Sequence, residues 1–221
     1  MNLDELNKKI VNNFNWLTEI GFLGKEVLSG YSFTKTTPSN KHIFGFSYIS
    51  YETYHLVMVA DGFLSFNSVE FILHKKLKKY PNDFHMSDLT FGDMRFPTTD
   101  TRNISIYTSE DFEKLVPIWT QDIKEKVLPF FDQWSNLKKI NDEIINKISR
   151  QELPNYIPGE TSFKKMIIMK LCNNPDYLSY ISEREHILFN AMEKDKKKYE
   201  PYYNLFMELK AELENTPPLY L

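Results

Sequence analysis

The sequence predicts an α+β protein: an antiparallel sheet packed by N-terminal and C-terminal helices, with a helical C-terminal tail. Between residues 29 and 107, apolar and polar residues alternate as they do in half-buried strands. From Thr108 onward, apolar residues recur at spacings of three and four, which is typical of helices. We therefore expect a sheet of roughly four to six strands, with helix exceeding strand in total.

A first helix is predicted from Leu3 to about Glu19. Asn2 is suited to cap its start, and Gly21 follows its last apolar residue as a stop signal. The residues that share one face of this helix are Leu3, Leu6, Ile10, Phe14 and Leu17.

Strands are predicted at 29–36, 42–50 and 53–60, the last two joined by a hairpin across residues 50–52. The stretch 63–80 suits either a helix or a further strand, and we favour a strand through Val69–Leu73. A short strand is possible at 89–91, and residues 103–107 form the closing strand of the prediction.

The helical part begins with a capping box between Thr108 and Asp111, and Pro117 is expected to break or kink the helix that follows. Another helix is predicted over 137–148. Prolines and a glycine make 151–160 the best linker, so we divide the chain into a mixed α+β domain, 1–150, and a helical tail, 151–221, packed as one compact unit.

Composition and motifs exclude several functions. No apolar run approaches the ~18 residues that cross a bilayer, and no secretory signal is visible, so no membrane is expected. A net charge of -3 does not favour nucleic acid as the partner. Only 7 glycines and no phosphate-binding motif argue against nucleotide chemistry. We expect no metal or organic cofactor.

The source is indicated by residue usage. Lysines number 23 against 4 arginines, with 18 asparagines and 3 alanines, which is typical of an AT-rich genome. We infer a low-GC bacterial source. The lone Cys172 excludes an internal disulfide and suits a reducing cytoplasm, and its apolar neighbours predict a buried thiol rather than a nucleophile.

Few sets of residues in the sequence suggest a catalytic site. If the hairpin pairs Ser50 with Thr53, then Tyr48 faces His55 and His42 faces Asp61, which would place a histidine beside an orienting carboxylate. An enzyme with a dispersed active site around His42, His55 and Asp61 is therefore one alternative.

Irregular residues 81–103 are the predicted partner-binding segment. Asp88, Asp93 and Asp100 are its expected charged contacts, because aspartates on a loop steer a basic partner. Its apolar members anchor the loop on the core or form the centre of an interface: Phe84, Met86, Phe91, Met94 and Phe96. The alternative is a packed connection whose aspartates only shape turns. The basic run 74–79 before it is interpreted as a solvated edge.

The order of these elements, with the runs Thr108–Phe112 and Val127–Asp132 followed by Trp134-Ser135, resembles uncharacterised bacterial domain families, some of them linked to toxin-immunity loci. The resemblance covers about the first two thirds of the chain. It implies a small α+β binding protein whose partner is a basic toxin domain, and it supplies no catalytic residues.

We therefore expect a non-catalytic, cytoplasmic protein-binding protein of immunity type. The alternatives are the dispersed-site enzyme and an adaptor that docks through its helical tail. The sequence leaves the partner's identity and the oligomeric state open.

Overall fold

The chain begins with helix, continues through a region rich in strands and ends in helices, as the apolar spacing predicts. In a computed structural model, residues 1–28, 30–81, 83–84, 87–92 and 104–220 are described. Over these residues helix accounts for 55% and strand for 18%, which confirms the α+β class and the excess of helix. The helices are α1 (Leu3–Asn13), α2 (Trp16–Glu19), α3 (Asn67–Leu77), α4 (Ser109–Asp122), α5 (Leu128–Trp134), α6 (Leu137–Ile140), α7 (Thr161–Leu171), α8 (Tyr177–Lys194) and α9 (Lys196–Glu214).

The described part of the sheet has five antiparallel strands in sequence order, which falls within the predicted range. They are β1 (Leu23–Val27), β2 (Gly30–Thr36), β3 (Asn40–Ser50), β4 (His55–Phe66) and β5 (Ile104–Ile106). β1 begins before the predicted strand region and all five of its residues are exposed, so it carries no alternating pattern that would reveal it. β5 closes the sheet against β4, as predicted.

The contacts divide the chain into two compact units. Unit 1 comprises Met1–Leu64 and Gly92–Ser135, and unit 2 comprises Ser65–Phe91 and Asn136–Leu221. These units interleave along the chain and do not follow the division at residue 150. The division into a mixed α+β domain, 1–150, and a helical tail, 151–221, packed as one compact unit, stays a prediction.

Unit 1 begins with the predicted helix and cap. Asn2 Oδ1 accepts a hydrogen bond from Glu5 N, and Leu6, Ile10 and Phe14 are fully buried. The chain turns at residues 14–15, so α2 continues the predicted helix only after a break. Gly21 has a φ of +89°, a conformation that glycine adopts without strain, and this explains the stop at that position.

The second half of unit 1 starts at the predicted capping box. Thr108 Oγ1 accepts from Asp111 N, and Asp111 Oδ2 accepts from Thr108 N. Pro117 lies inside α4 and does not end it, since the helix continues to Asp122 and a π-helical segment, Ile123–Val127, leads into α5.

Unit 2 corrects the strand favoured at Val69–Leu73, because these residues lie within α3. Val69, Leu73 and Leu77 are buried, whereas Phe71 is 72% exposed. An alternating strand would place Phe71 on the same face as Val69 and Leu73, so burial follows the helical period. Among the described residues, 89–91 form no strand, and Phe91 makes only a single β-bridge.

The remaining helices of unit 2 match the tail prediction. The helix predicted over 137–148 is α6 followed by a π-helical segment, Asn141–Ile145. The expected linker contains a short 3₁₀ helix, Leu153–Asn155, with Leu153 and Ile157 buried. α7, α8 and α9 then make up the predicted helical tail.

Candidate protein-binding segment and the charges beneath it

The described part of the predicted binding segment is fixed by its apolar members. Phe84 and Phe91 are buried, so these two anchor the segment within unit 2. Asp88 projects outward with a side chain that is 72% exposed. Asp93 and Asp100, together with Met86, Met94 and Phe96, lie outside the described residues.

A buried ion pair lies beneath this segment. Glu70, in the first turn of α3, and Lys164, in the first turn of α7, have side chains that are 8% and 1% exposed, and Lys164 Nζ is 3.3 Å from Glu70 Oε1. The Thr90 hydroxyl donates to the same oxygen at 2.5 Å and accepts from Phe66 N at 2.9 Å. One segment residue is thereby bonded to the end of β4 and to α3.

Lys164 also holds the segment backbone. Its ammonium donates to Ser87 O at 3.1 Å and to Leu89 O at 2.6 Å. An ammonium has three protons, and the Glu70 carboxylate and the two carbonyls together supply three acceptors. Both carbonyls flank Asp88, so the backbone on each side of the exposed carboxylate is anchored to a buried charge.

The electrostatics of the pair are set by burial. Burial raises the pKa of Glu70, against the opposing effects of the Lys164 charge and the Thr90 hydrogen bond. Burial likewise lowers the pKa of Lys164, and the Glu70 charge opposes that change. Each charge therefore depends on the other. Removing either side chain leaves the second charge buried without its counter-charge.

His74 connects this buried pair to the exposed aspartate. Its Nε2 lies 3.4 Å from Glu70 Oε2 and 3.3 Å from Ser87 O, and its Nδ1 lies 3.2 Å from Asp88 Oδ1. His74 follows Glu70 by one helical turn, which places both side chains on the face of α3 that contacts the segment.

Sequence reasoning missed Glu70 and Lys164. The available signal was position: on a helix Glu70 lies at i−3 from Leu73 and i−7 from Leu77, within the apolar stripe. A charged residue inside an apolar stripe indicates a buried partner. Assigning a strand to this stretch concealed the stripe.

The basic run 74–79 is largely solvated, as predicted, but it lies on and just after helix α3 rather than at a strand edge. Lys75 and Lys76 pair with Glu212 of α9 at 2.7 and 2.6 Å, and Lys79 pairs with Glu208 at 2.5 Å. The run lies on a helix rather than beside a strand, so its charges can reach α9. Three lysines of the run thus have acidic partners on α9.

The hairpin corrects the pairing on which the catalytic alternative rests. Tyr51 N donates to Tyr54 O at 2.9 Å, and β4 begins at His55, so the turn is closed by Tyr51 and Tyr54 rather than by Ser50 and Thr53. This moves β4 by two residues relative to the predicted register. His55 consequently bonds Ser50 Oγ through Nδ1 at 2.9 Å instead of facing Tyr48.

His42 has a structural partner in unit 1. Its Nε2 lies 2.9 Å from Ser135 Oγ, whose hydroxyl donates to Phe131 O, and its ring stacks on that of Phe131 at 4.6 Å. Burial and the Lys35 charge lower the pKa of His42, whereas Asp132 raises it. Because the Ser135 hydroxyl donates to Phe131 O at the end of α5, His42 Nε2 donates to Ser135 Oγ in this arrangement and does not accept its proton as a base would.

Cys172 lies at the end of α7 and is buried, as predicted. Burial raises the pKa of its thiol to about 12, with a smaller contribution from Asp142 and an opposing one from Lys138. A thiol in this environment is protonated at neutral pH and is a poor nucleophile.

Two further features of the described residues bear on function. Among them, no group of three or more histidine, cysteine, aspartate or glutamate side chains is arranged to hold a metal ion. No described helix has both the length and the apolar character needed to cross a membrane.

Comparison with protein-family models, with curated proteins and with solved structures found no match.

Proposed function

We propose that this chain is a non-catalytic protein-binding protein that uses the segment around Asp88 to contact a basic partner. The observation that carries the proposal is the contrast between an exposed carboxylate and the buried anchors on either side of it. Fixing the backbone before binding reduces the entropy lost on association, and an exposed acid accelerates encounter with a basic surface.

We include Asp93 and Asp100 as further contacts for the same partner. In its most specific form, the proposal is an immunity-type protein that binds a basic toxin domain. The resemblance to families linked to toxin-immunity loci supports this form. Such a role needs no catalytic residues. This agrees with His42 and His55, each of which bonds a serine hydroxyl within the fold.

The test is a capture experiment on lysate of the source organism followed by kinetics. Wild-type chain and the triple variant Asp88→Lys, Asp93→Lys, Asp100→Lys serve as baits, and circular dichroism first establishes that the variant is folded. We expect the wild-type bait to capture a basic protein that the triple variant does not capture. With the purified partner, the variant lowers the association rate strongly at low salt and weakly at high salt. Unchanged binding with unchanged salt dependence refutes this surface.

A second candidate is the adaptor role of the helical tail. α8 carries two exposed apolar residues, Leu178 at 76% and Phe189 at 44%. Leu178 also lines a cavity of about 440 Å³ with Met169, Tyr177 and Glu214. Replacing Leu178 and Phe189 together by Asp abolishes capture if the tail is the docking surface and leaves it unchanged if the Asp88 segment is.

A further inference from the structure

A cluster of cations lies where α7 and α8 meet in unit 2. Lys165 belongs to α7 and Arg184 to α8, and Arg150 lies just before the short 3₁₀ helix. The chain has 4 arginines against 23 lysines, and the two arginines among the described residues both belong to this cluster. Burial lowers the pKa of Lys165 and of Arg184, and the charge of Arg150 lowers both further. Like charges are thus held together where water only partly screens them.

Tyr180, in the first turn of α8, positions two of these cations. Lys165 Nζ lies over the Tyr180 ring, 5.0 Å from its centroid. The Tyr180 hydroxyl donates to Ser162 O at 3.0 Å, and Arg184 Nη2 donates to Ser162 Oγ at 3.3 Å. Burial raises the pKa of Tyr180 to about 12, so the phenol is neutral and adds no negative charge. The ammonium and the guanidinium are therefore fixed in place by neutral groups.

Carboxylates compensate this cluster only in part. Glu183 and Asp176 act on Lys165, and Glu183 Oε1 lies 3.5 Å from Arg150 Nη1, with both side chains 61% exposed. Within the part of the chain that the structure describes, neither Lys165 nor Arg184 forms an ion pair with a carboxylate. Three cations thus meet two carboxylates, and the two half-buried cations keep donors that an anion can use.

Ser162 adds a neutral donor to the same place. Its Oγ accepts from Arg184, and among the described residues no acceptor takes up its hydroxyl proton. A hydroxyl can donate one hydrogen bond while it accepts another. An anion beside Arg184 therefore meets the Ser162 proton as well.

We propose that Lys165, Arg184 and Ser162 form a binding site for a phosphate monoester, with Arg150 at its rim. A phosphate monoester carries a charge of about −1.5 to −2 at neutral pH and has three acceptor oxygens. The three side chains supply an ammonium, a guanidinium and a hydroxyl, and charge-assisted bonds from such cations to phosphate are strong. A carboxylate ligand has only two oxygens, so phosphate fits this set of donors better.

This site uses no residue of the segment around Asp88, so it stands independently of the proposed binding of a basic partner. The phosphate can belong to a small metabolite or to a phosphorylated side chain of a protein. Both sources present the same group to the three donors, and the experiment separates them.

The test is a nuclear magnetic resonance titration of the full chain with inorganic phosphate at constant ionic strength. We expect saturable shifts of the backbone amides of residues 162–165 and 180–184, and smaller shifts with acetate. Lys165→Gln and Arg184→Gln each weaken binding about 10-fold or more, the effect of losing a hydrogen bond to a charged group. Ser162→Ala keeps all the cations and weakens binding about 2- to 10-fold.

The matched control is Lys198→Gln on α9. Lys198 Nζ also lies 5.0 Å from a tyrosine ring centroid, that of Tyr199, and it belongs to the same unit. The change removes the same charge and the same kind of ring contact outside the cluster, so phosphate affinity is expected to stay at the wild-type value.

Two phosphate monoesters then distinguish the sources. Tighter binding of glycerol 3-phosphate than of N-acetylphosphoserine amide supports a metabolite, and the reverse order supports a phosphorylated side chain. Circular dichroism establishes that each variant is folded. If Arg184→Gln does not fold, the exposed Arg150→Gln replaces it, with an expected loss of about 1.5- to 5-fold.

The proposal is overturned if phosphate does not saturate these amides, if acetate shifts them equally, or if Lys165→Gln binds phosphate as the wild type does. Each of these results leaves the proposed contact of Asp88 with a basic partner unaffected, because no partner is present in the titration.

Discussion

Replacing Lys164 by Met tests the buried pair most directly. The side chains have similar length, so the change removes the charge and its protons while largely conserving volume. Glu70 loses its buried counter-charge, and the carbonyls of Ser87 and Leu89 lose their donor. Breaking a buried ion pair on one side costs about 3–5 kcal/mol, and we expect a loss of that size in the free energy of unfolding.

A double variant separates the charge effect from the lost hydrogen bonds. In Lys164→Met combined with Glu70→Gln, no buried charge is left alone, while Thr90 still has an acceptor. The remaining loss is that of two buried carbonyls, about 1–3 kcal/mol each when left without any partner. We expect the double variant to be more stable than Lys164→Met by roughly 2 kcal/mol, because the uncompensated charge is the larger penalty.

The pH dependence of Lys164→Met follows from Glu70. Burial raises the pKa of Glu70 in the folded protein, and Lys164 is the main opposing influence, so its removal raises that pKa further. A carboxyl whose pKa is higher in the folded state favours folding at low pH, and this contribution is lost as pH rises through the folded value. The penalty of Lys164→Met is therefore larger at pH 8 than at pH 5.

The assay is urea unfolding followed by two signals. All three tryptophans, Trp16, Trp119 and Trp134, belong to unit 1, so fluorescence reports that unit, whereas far-ultraviolet circular dichroism also reports the helices of unit 2. The dichroism transition is expected to shift. A loss below about 1 kcal/mol in Lys164→Met, or a double variant no more stable than the single one, would show that the charge of Glu70 does not depend on Lys164.

Three further predictions concern the rest of the chain. Thr108→Ala removes the cap of α4 and lowers the stability reported by tryptophan fluorescence by about 1 kcal/mol, whereas a loss in the dichroism transition alone would contradict it. Gly45→Ala places a Cβ 2.3 Å from Tyr31 O, which forces β2 and β3 apart and costs about 1–3 kcal/mol in the same fluorescence assay; unchanged stability would show that the strands separate freely. Cys172, whose thiol pKa is about 12, reacts with iodoacetamide far more slowly in native protein than in urea, and equal rates by mass spectrometry would show that it is accessible.

Local sequence determined those elements whose signals lie within a few residues. The Asn2 cap and the stripe of α1 needed only neighbouring residues, and so did the capping box at Thr108. The α+β class followed from the change in period near the same residue. Each of these features depends on hydrogen bonds or apolar spacing within one or two turns, so the tertiary environment had little to alter.

The tertiary structure determined whether short apolar stretches became helix or strand. Val69–Leu73 fits both periods over five residues, and burial against the rest of unit 2 selects the helix. The register of β3 and β4 depends on one turn, and a turn closed by Tyr51 and Tyr54 was enough to change the residue beside His55. The period of a strand is two, so small changes in a loop reassign many contacts.

The candidate site likewise contains one residue that the sequence predicts and a pair that only the structure reveals. Asp88 was predicted because exposed loop acids are recognisable from sequence alone. The pair of Glu70 and Lys164 joins residues 94 positions apart, and no local pattern states which distant charge will meet which. In water these two side chains would attract each other only weakly. Inside unit 2 both are buried, so each charge requires the other as its counter-charge. Together they fix the segment that carries Asp88.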